Sequence, residues 1–368
     1  MRAIYFANYN LEDKTSGVSK KILMQLDSFE NLGVNIEAPK VFADSIISKI
    51  YARVPLTSNF YDWHCSKYLR SINIEDYDFV YVRHNLITRQ LINNLRYIRK
   101  KGVKVFYEIP TYPYDKNEND PINHFLRKKD FKWRGKLHEV VDYVVDYSGT
   151  KTIYGVPTIG LTNGINLKGI RQAAHDDQKK TIDLIAVALM AEVHGFDRII
   201  AGMHNYYANR NDDQRIVRFH VVGEGASKNR LEEMVRNFGL EKYVIFYGLR
   251  SGEDLDRIYD TCDIGVGVLG IHRRYKNQKV SSLKTKEYAA KGLPFITGEN
   301  DDAFKNGDFK YNFQVESTDD PVNIREVIEW YDSICMETNV EKISNQIREY
   351  AKKNLTWDTQ LQKVLVRV

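Results

Sequence analysis

The sequence predicts an α/β protein of two doubly wound parallel sheets, and three observations carry that prediction. Short apolar runs alternate with segments of helical spacing along most of the chain, which is the pattern of parallel strands joined by covering helices. The alternation starts twice, at Arg2 to Ala7 and again at Thr181, with a polar and charged stretch, Asn166 to Lys180, lying between the two starts. At 368 residues the chain is long enough for two domains, each with its own core.

Composition sets the class. A hydrophobic content of 43% and a charged content of 28% belong to a globular chain and exclude global disorder. The net charge of +5 is mild and argues against nucleic acid as the main partner. Cys65, Cys262 and Cys335 are widely spaced and odd in number, so they give no disulfide framework and no CxxC metal pattern, which fits a reducing cytoplasm. The first residues, MRAIYFANYN, turn polar after seven positions and read as a strand in place of a signal peptide. No apolar run approaches the roughly 18 residues that a spanning helix needs.

In the first half, Arg2 to Ala7 is a short strand and Val18 to Glu30 carries Ile22, Leu26 and Phe29 at helical spacing, with the polar loop NYNLEDKTSG closing on Gly17 between them. A strand, a loop ending in glycine and a helix are how a Rossmann-like unit starts, although the GxGxxG fingerprint is absent. Further strands are expected near Asn35 to Phe42, Phe79 to Arg83 and Val103 to Glu108, and helices at Thr88 to Lys100 and Asn123 to Val140. Asp76-Tyr77-Asp78 is formally a DxD metal motif; it precedes its strand instead of ending one, so it reads as a solvated turn, and no metal site is predicted. The run YEIPTYPYD, Tyr107 to Asp115, falls just past a predicted strand end, where open α/β sheets place ligands. Pro110 and Pro113 would stiffen a loop presenting Glu108, Tyr112, Tyr114 and Asp115. Residues 124–138, HFLRKKDFKWRGKLH, mix basic and aromatic residues as a helix on an anionic membrane surface does; a solvated helix with a buried apolar stripe is the alternative.

In the second half, Thr181 to Ala188 reads as a buried strand, followed by His194-Gly195-Phe196-Asp197-Arg198. Phe219 to Gly225 is a strand ending in the turn Gly223-Glu224-Gly225, and Val244 to Arg250 is another strand with its turn. Asp263 to Leu269 leads into a polar loop, Gly270 to Val280, whose His272, Arg273, Arg274, Lys276 and Lys279 would concentrate negative charge and stabilise an anionic leaving group. Next comes KVSSLKTKEYAAKGLPFITG. Ser281 and Ser282 suit a helix N-cap, Leu283 to Lys291 holds no helix breaker, and Gly292 and Pro294 stop the helix before the strand Phe295-Ile296-Thr297. The helix N-terminus, with Lys284 in its first turn, makes a site for a phosphate. Glu287, on the same face, is placed to accept two hydrogen bonds from a vicinal diol such as a ribose; an ordinary surface Lys–Glu pair is the alternative. From Pro321 to Val368 the periodicity is helical, with Ile324, Val327, Ile328 and Tyr331 on one face.

The run SSLKTKEYAAKGLPFI resembles the nucleotide-sugar segment of the family 4 glycosyltransferases and their relatives with the two-Rossmann GT-B fold. The resemblance implies that Ser282 and Leu283 hold the donor diphosphate and Glu287 the ribose. The family's second Glu, eight residues earlier, is Lys279 here. Gly17 matches a glycine that approaches the donor phosphates, and Gly223, with Leu249 and Arg250 after Gly248, matches segments around the nucleotide. Leu189 and His194 stand where the family carries an Arg and a Lys, and Arg198 is expected to replace the lost charge. VPTIGLTNGI, Val156 to Ile165, resembles the end of the family's first domain, and Leu355-Thr-Trp357 resembles the point where the chain crosses back to it. Glu108 lies about where the family has a histidine facing the donor sugar.

The resemblance therefore implies a GT-B protein whose two Rossmann-like domains face each other across a cleft: residues 1–165 as acceptor domain, 166–180 as linker, 181–345 as nucleotide-sugar domain, and 346–368 as a C-terminal helix crossing back. The expected activity is transfer of a hexose, with retention, from a nucleoside diphosphate sugar (UDP-hexose favoured) to a saccharide or lipid-linked acceptor in bacterial-type surface polysaccharide or glycoconjugate synthesis. Glu108, Arg273 and Lys284 are the catalytic candidates; His272 and Lys279 complete the set around the nucleotide sugar. No metal and no cofactor beyond the donor are expected, and the location is cytoplasmic, at the inner face of the membrane. Two other readings stand beside it: a non-catalytic partner subunit, suggested by Leu189, His194 and Lys279, and a nucleotide-sugar epimerase on the same fold.

Overall fold

Arg2–Phe6 (β1) turns Ala3 and Tyr5 to one side and Ile4 and Phe6 to the other, and all four are buried. Both faces of the strand must therefore be covered, as in a doubly wound sheet. The computed structural model describes residues 1–13, 16–43, 45–53, 59–114, 123–174, 180–211, 214–274, 281–304 and 309–368. They divide into two units, Met1–Thr162 with Trp357–Val368, and Asn163–Thr356.

The first unit continues with the strands Asn35–Glu37 (β2), Phe79–Arg83 (β3), Lys104–Ile109 (β4), Tyr143–Asp146 (β5), Thr152–Ile153 (β6) and Val156–Gly160 (β7). The sheet order is β2-β1-β3-β4-β5-β7-β6, parallel except for the β6–β7 pair. Its helices are Gly17–Asn31 (α1), Ile46–Arg53 (α2), Phe60–Leu69 (α3), Arg89–Lys100 (α4) and Asn123–Trp133 (α5). Ser16, Asn59 and Thr88 cap α1, α3 and α4 by accepting the N–H three residues on. The strand expected to reach Phe42 stops at Glu37, and Pro39, which has no N–H for a ladder, follows it. The helix expected to reach Val140 is α-helical only to Trp133 and continues as a 3-10 segment, Arg134–Glu139, that contains Gly135. Asp76 and Asp78 are held in a turn, Asp78 by the Arg2 N–H at 2.7 Å and Asp76 by the Asn73 amide at 2.8 Å.

The second unit has six parallel strands: Thr181–Val187 (β8), Ile216–Val222 (β9), Val244–Gly248 (β10), Ile264–Val266 (β11), Phe295–Thr297 (β12) and Asn312–Gln314 (β13), in the order β10-β9-β8-β11-β12-β13. Its helices are Phe196–Ala208 (α6), Lys228–Asn237 (α7), Gly252–Tyr259 (α8), Leu283–Lys291 (α9), Ile324–Glu337 (α10) and Val340–Asn354 (α11). On α10, Ile324, Val327, Tyr331 and Ile334 are buried. Two parallel Rossmann-like sheets, each covered by helices, are the GT-B fold.

Residues 346–354 finish α11 inside the second unit, and the segment counted with the first unit begins at Trp357. There Trp357–Leu365 (α12) packs on α1, where the Ser28 hydroxyl donates to Asp358 at 2.5 Å, and Trp357, Leu361 and Val364 join Tyr5, Phe29, Tyr81 and Phe106 in one core. A Trp357→Ala variant should lose about 3–5 kcal/mol, as emptied aromatic core sites do, read as a lower urea midpoint; an unchanged midpoint would show that the tail adds nothing to this core.

Candidate functional site

The chain builds β8, β9 and β10 outward on one side of the second sheet and then returns to lay β11, β12 and β13 on the other. The order therefore reverses between β8 and β11, and open α/β sheets bind ligands beyond the carboxyl ends of the strands at such a point. Helix α9 is fastened there. The Tyr288 hydroxyl donates to the Val266 carbonyl at 2.9 Å and accepts the Val187 N–H at 3.3 Å, so one side chain joins β11 to β8. Ser282, in an extended conformation, precedes the first turn without capping it by its side chain.

Around this helix start stand His194, Lys284, Glu287 and Glu299. His194 Nδ1 accepts the Ala191 N–H at 3.1 Å, and its Nε2 lies 3.0 Å from Lys284 Nζ. Burial, then the Lys284 charge, push the His194 pKa down to about 4, and burial lowers that of Lys284 as well. Lys284 and His194 thus stand together beside a helix N-terminus, where the free backbone N–H groups and the lysine side chain suit an anion. One turn along, burial raises the pKa of Glu287, and the Tyr259 hydroxyl lies 3.5 Å from its Oε1. Glu299 is buried after β12, with its pKa raised by burial against the pull of Lys286 and Lys284. Sequence reasoning passed over it because Thr297-Gly298-Glu299 reads as an ordinary strand exit.

The glycine turn Gly223-Glu224-Gly225 passes under the end of β8. Gly223 has φ of 129°, and a Cβ on it would meet the Ala188 carbonyl oxygen at 1.9 Å, so only glycine fits. Leu249 and Arg250 line an open groove after β10 with Tyr247, Ser251, Asp254 and Ile258. Leu283 opens α9 and is exposed. Gly17 opens α1 in the first unit, with no atom within 4 Å of the place where a side chain would begin.

Three expected site groups are engaged elsewhere. Arg198 is buried and donates to the Leu269 carbonyl at 2.6 Å and the Asp320 carbonyl at 2.7 Å, so it braces α6 and does not replace the charge missing at Leu189. Arg273 grips Asp197 through both terminal nitrogens at 2.9 Å and Asp319 through Nε at 2.6 Å, and His272 also meets Asp319, at 3.0 Å. A half-buried guanidinium needs such partners, so Arg273 is held by carboxylates and is not left for a ligand. Lys276 and Lys279 lie outside the described residues. Among the described residues, no group of three or more His, Cys, Asp or Glu side chains could hold a metal ion.

Glu108 requires a correction. It stands on β4 with no exposed surface and is not presented by the proline-containing loop. Its Oε1 accepts from Arg83 at 2.7 Å and Tyr147 at 2.9 Å and lies 3.4 Å from Lys21 Nζ. Burial alone would raise its pKa; the Arg83 and Lys21 charges outweigh burial and hold it down to about 2. Of its expected neighbours, Tyr112 and Tyr114 pack into the first unit's core margin, and Asp115 lies outside the described residues.

Residues 170–298, about a third of the chain, match the family model described as Glycosyl transferases group 1. No curated protein sequence matches the chain significantly. Among solved structures, a glycosyltransferase from Rickettsia africae superposes with a TM-score of 0.65 at 14% identity, over 100% of this chain and 97% of that one. HepE of Anabaena, solved in complex with UDP, gives 0.61 at 11% identity over 100% of both chains. Sucrose-phosphate synthase of Thermosynechococcus elongatus gives 0.60 at 13%, over 100% of this chain and 98% of that one. At these identities the likeness is one of GT-B fold.

The depressed pKa of Glu108 makes a signed prediction. Its stabilising effect is complete above the ordinary value of 4.5 and is lost as pH falls toward about 2. Glu108→Gln strands two buried cations and should cost about 3–5 kcal/mol at neutral pH. In urea titrations its deficit against the wild type should shrink between pH 4.5 and 2; a deficit independent of pH would refute the ion-pair account.

Proposed function

We propose that this protein is a glycosyltransferase that moves a hexose from a nucleoside diphosphate sugar to a saccharide or lipid-linked acceptor, with retention of anomeric configuration. The observation that carries the reading is the start of α9 at the strand-order reversal, with Lys284 and His194 beside it and Glu287 one turn along. The family match over residues 170–298 spans this helix and supports the same reading, and the UDP in the HepE complex is the reason for favouring a UDP-sugar.

In this mechanism the bond from the anomeric carbon to the β-phosphate oxygen breaks while the acceptor hydroxyl bonds to that carbon from the same face, and its proton passes to the departing phosphate. The Ser282 and Leu283 N–H groups and Lys284 receive the charge that develops on the diphosphate, and Glu287 holds the ribose diol. Helix dipole and side chains neutralise the diphosphate without a metal. The first domain holds the acceptor, and residues 124–138 bring the protein to the cytoplasmic face of a membrane in surface-glycan synthesis. Leu189, 75% exposed where the family carries an Arg, favours the second reading, a partner subunit that binds nucleotide without turnover.

Thermal shift against UDP, GDP, ADP and their sugar conjugates tests the donor site, since a ligand at a hundredfold its Kd stabilises by about 2.7 kcal/mol. One nucleotide should raise Tm, and no shift with any of them would overturn the reading. Glu287→Ala should weaken that nucleotide by about 1.5–3 kcal/mol, roughly ten- to a hundredfold in Kd, with the fold intact; unchanged affinity would remove Glu287 from the site. Binding without transfer to any acceptor would select the partner-subunit reading.

A further inference from the structure

We infer that α2, α3 and α5 of the first unit form a surface that seats on a bilayer containing anionic lipids. Helix α2 turns Ile46, Ile47 and Ile50 outward, 77%, 70% and 58% exposed, although the same helix buries Ser48. Trp63 of α3 is 50% exposed beside them, and the rings of Tyr51, Phe60 and Trp63 lie 4.9–6.0 Å apart and join the two helices. Helix α2 also packs on α5, which exposes Phe131 with Lys128 and Lys132. A cluster of exposed large apolar side chains marks an interaction surface, whereas a lone one does not.

Charge selects the occupant. Lys67 and Arg70 follow Trp63 along the exposed side of α3 and its C-terminal cap. The sequence of α2 has no acidic residue, and the single acids of α3 and α5, Asp62 and Asp130, are buried. These three helices therefore bring apolar and cationic groups to the surface and no carboxylate. Two copies meeting through this face would oppose like charges, but anionic headgroups would meet lysine and arginine while the isoleucines and Trp63 enter the acyl boundary.

The same helices wall a cavity. Ser48 of α2 and Asn59 and Phe60 at the start of α3 line a space of about 390 Å³ with Asn8, Tyr9 and Asn85, beyond the carboxyl ends of β1 and β3, where the first sheet reverses its order. A membrane seat would hold this mostly uncharged pocket at headgroup level, where the saccharide of a lipid-linked acceptor lies. This step deepens the proposed function by choosing the lipid-linked acceptor, and it rests on that reading.

Vesicle flotation tests it with the full chain, using phosphatidylcholine vesicles with and without about 30% phosphatidylglycerol. The protein should float only with the anionic vesicles and be released by high salt. Ile47→Ser with Ile50→Ser, and separately Lys67→Glu with Arg70→Glu, should each lower vesicle affinity by at least about tenfold while leaving the circular dichroism and the nucleotide-induced Tm shift unchanged. Equal flotation of variants and wild type, or no flotation of the wild type, would overturn the inference. So would a wild-type dimer, seen by light scattering, that the isoleucine variant dissolves. Vesicle binding without any nucleotide shift would retract the transferase reading, and the lipid-linked acceptor with it, and leave the membrane seat; a nucleotide shift without vesicle binding would retract this inference alone.

Discussion

The seat of Tyr288 on Gly265 is the contact on which the second unit's site depends. A Cβ at Gly265 would lie 2.4 Å from the Tyr288 ring, so α9 can approach β11 this closely only over a glycine. The phenol hydroxyl then reaches main-chain groups of both β11 and β8, which satisfies its own polarity in the core and pins the helix across the reversal of strand order. Thr285 comes to rest against Gly267, and the first turn of α9 stands beyond the strand ends beside His194. Every group at the proposed phosphate position, from the Ser282 turn to Lys284, takes its place from that contact.

Several cations of this unit are structural. Arg198 and Arg273 hold the start of α6, the loop after β11 and the segment around Asp319 and Asp320 together. Lys286 pairs with Asp301 in the core, and Lys291 with Asp256. Removing one member of such a buried pair strands the other, so these cations are not available to a ligand. Lys284 differs: its hydrogen-bonded neighbour is His194, and its compensating carboxylates, Glu299 and Glu287, flank it without a direct ion pair.

The first unit has its own buried charge centre, built from Glu108, Arg83 and Lys21 with Tyr147 at its edge. It ties β3 and β4 to α1, and Lys21 lies over the Tyr147 and Trp357 rings, which links the centre to α12. A carboxylate held so firmly in its ionised form suits structure better than proton transfer. On the opposite side of this sheet, α3 buries its single acid, Asp62, and α2 exposes three isoleucines, an inversion of the usual distribution of residues.

The sequence alone determined most elements, because local chemistry decides them. Thr88 opens α4, Gly292 stops α9, and the alternation of strand and helix requires parallel sheets with both faces covered. The helix from Leu283 to Lys291 with Lys284 and Glu287 on one face was legible for the same reason. Partnership was not legible. That Glu108 is an interior ion-pair member, that Arg198 and Arg273 are braces, and that Glu299 joins the site follow from residues 13 to 122 positions apart, brought together by sheet order. Residue type and spacing state which charges a chain carries; burial decides which of them must be neutralised by one another and which remain for a ligand, and burial is a property of the tertiary structure alone.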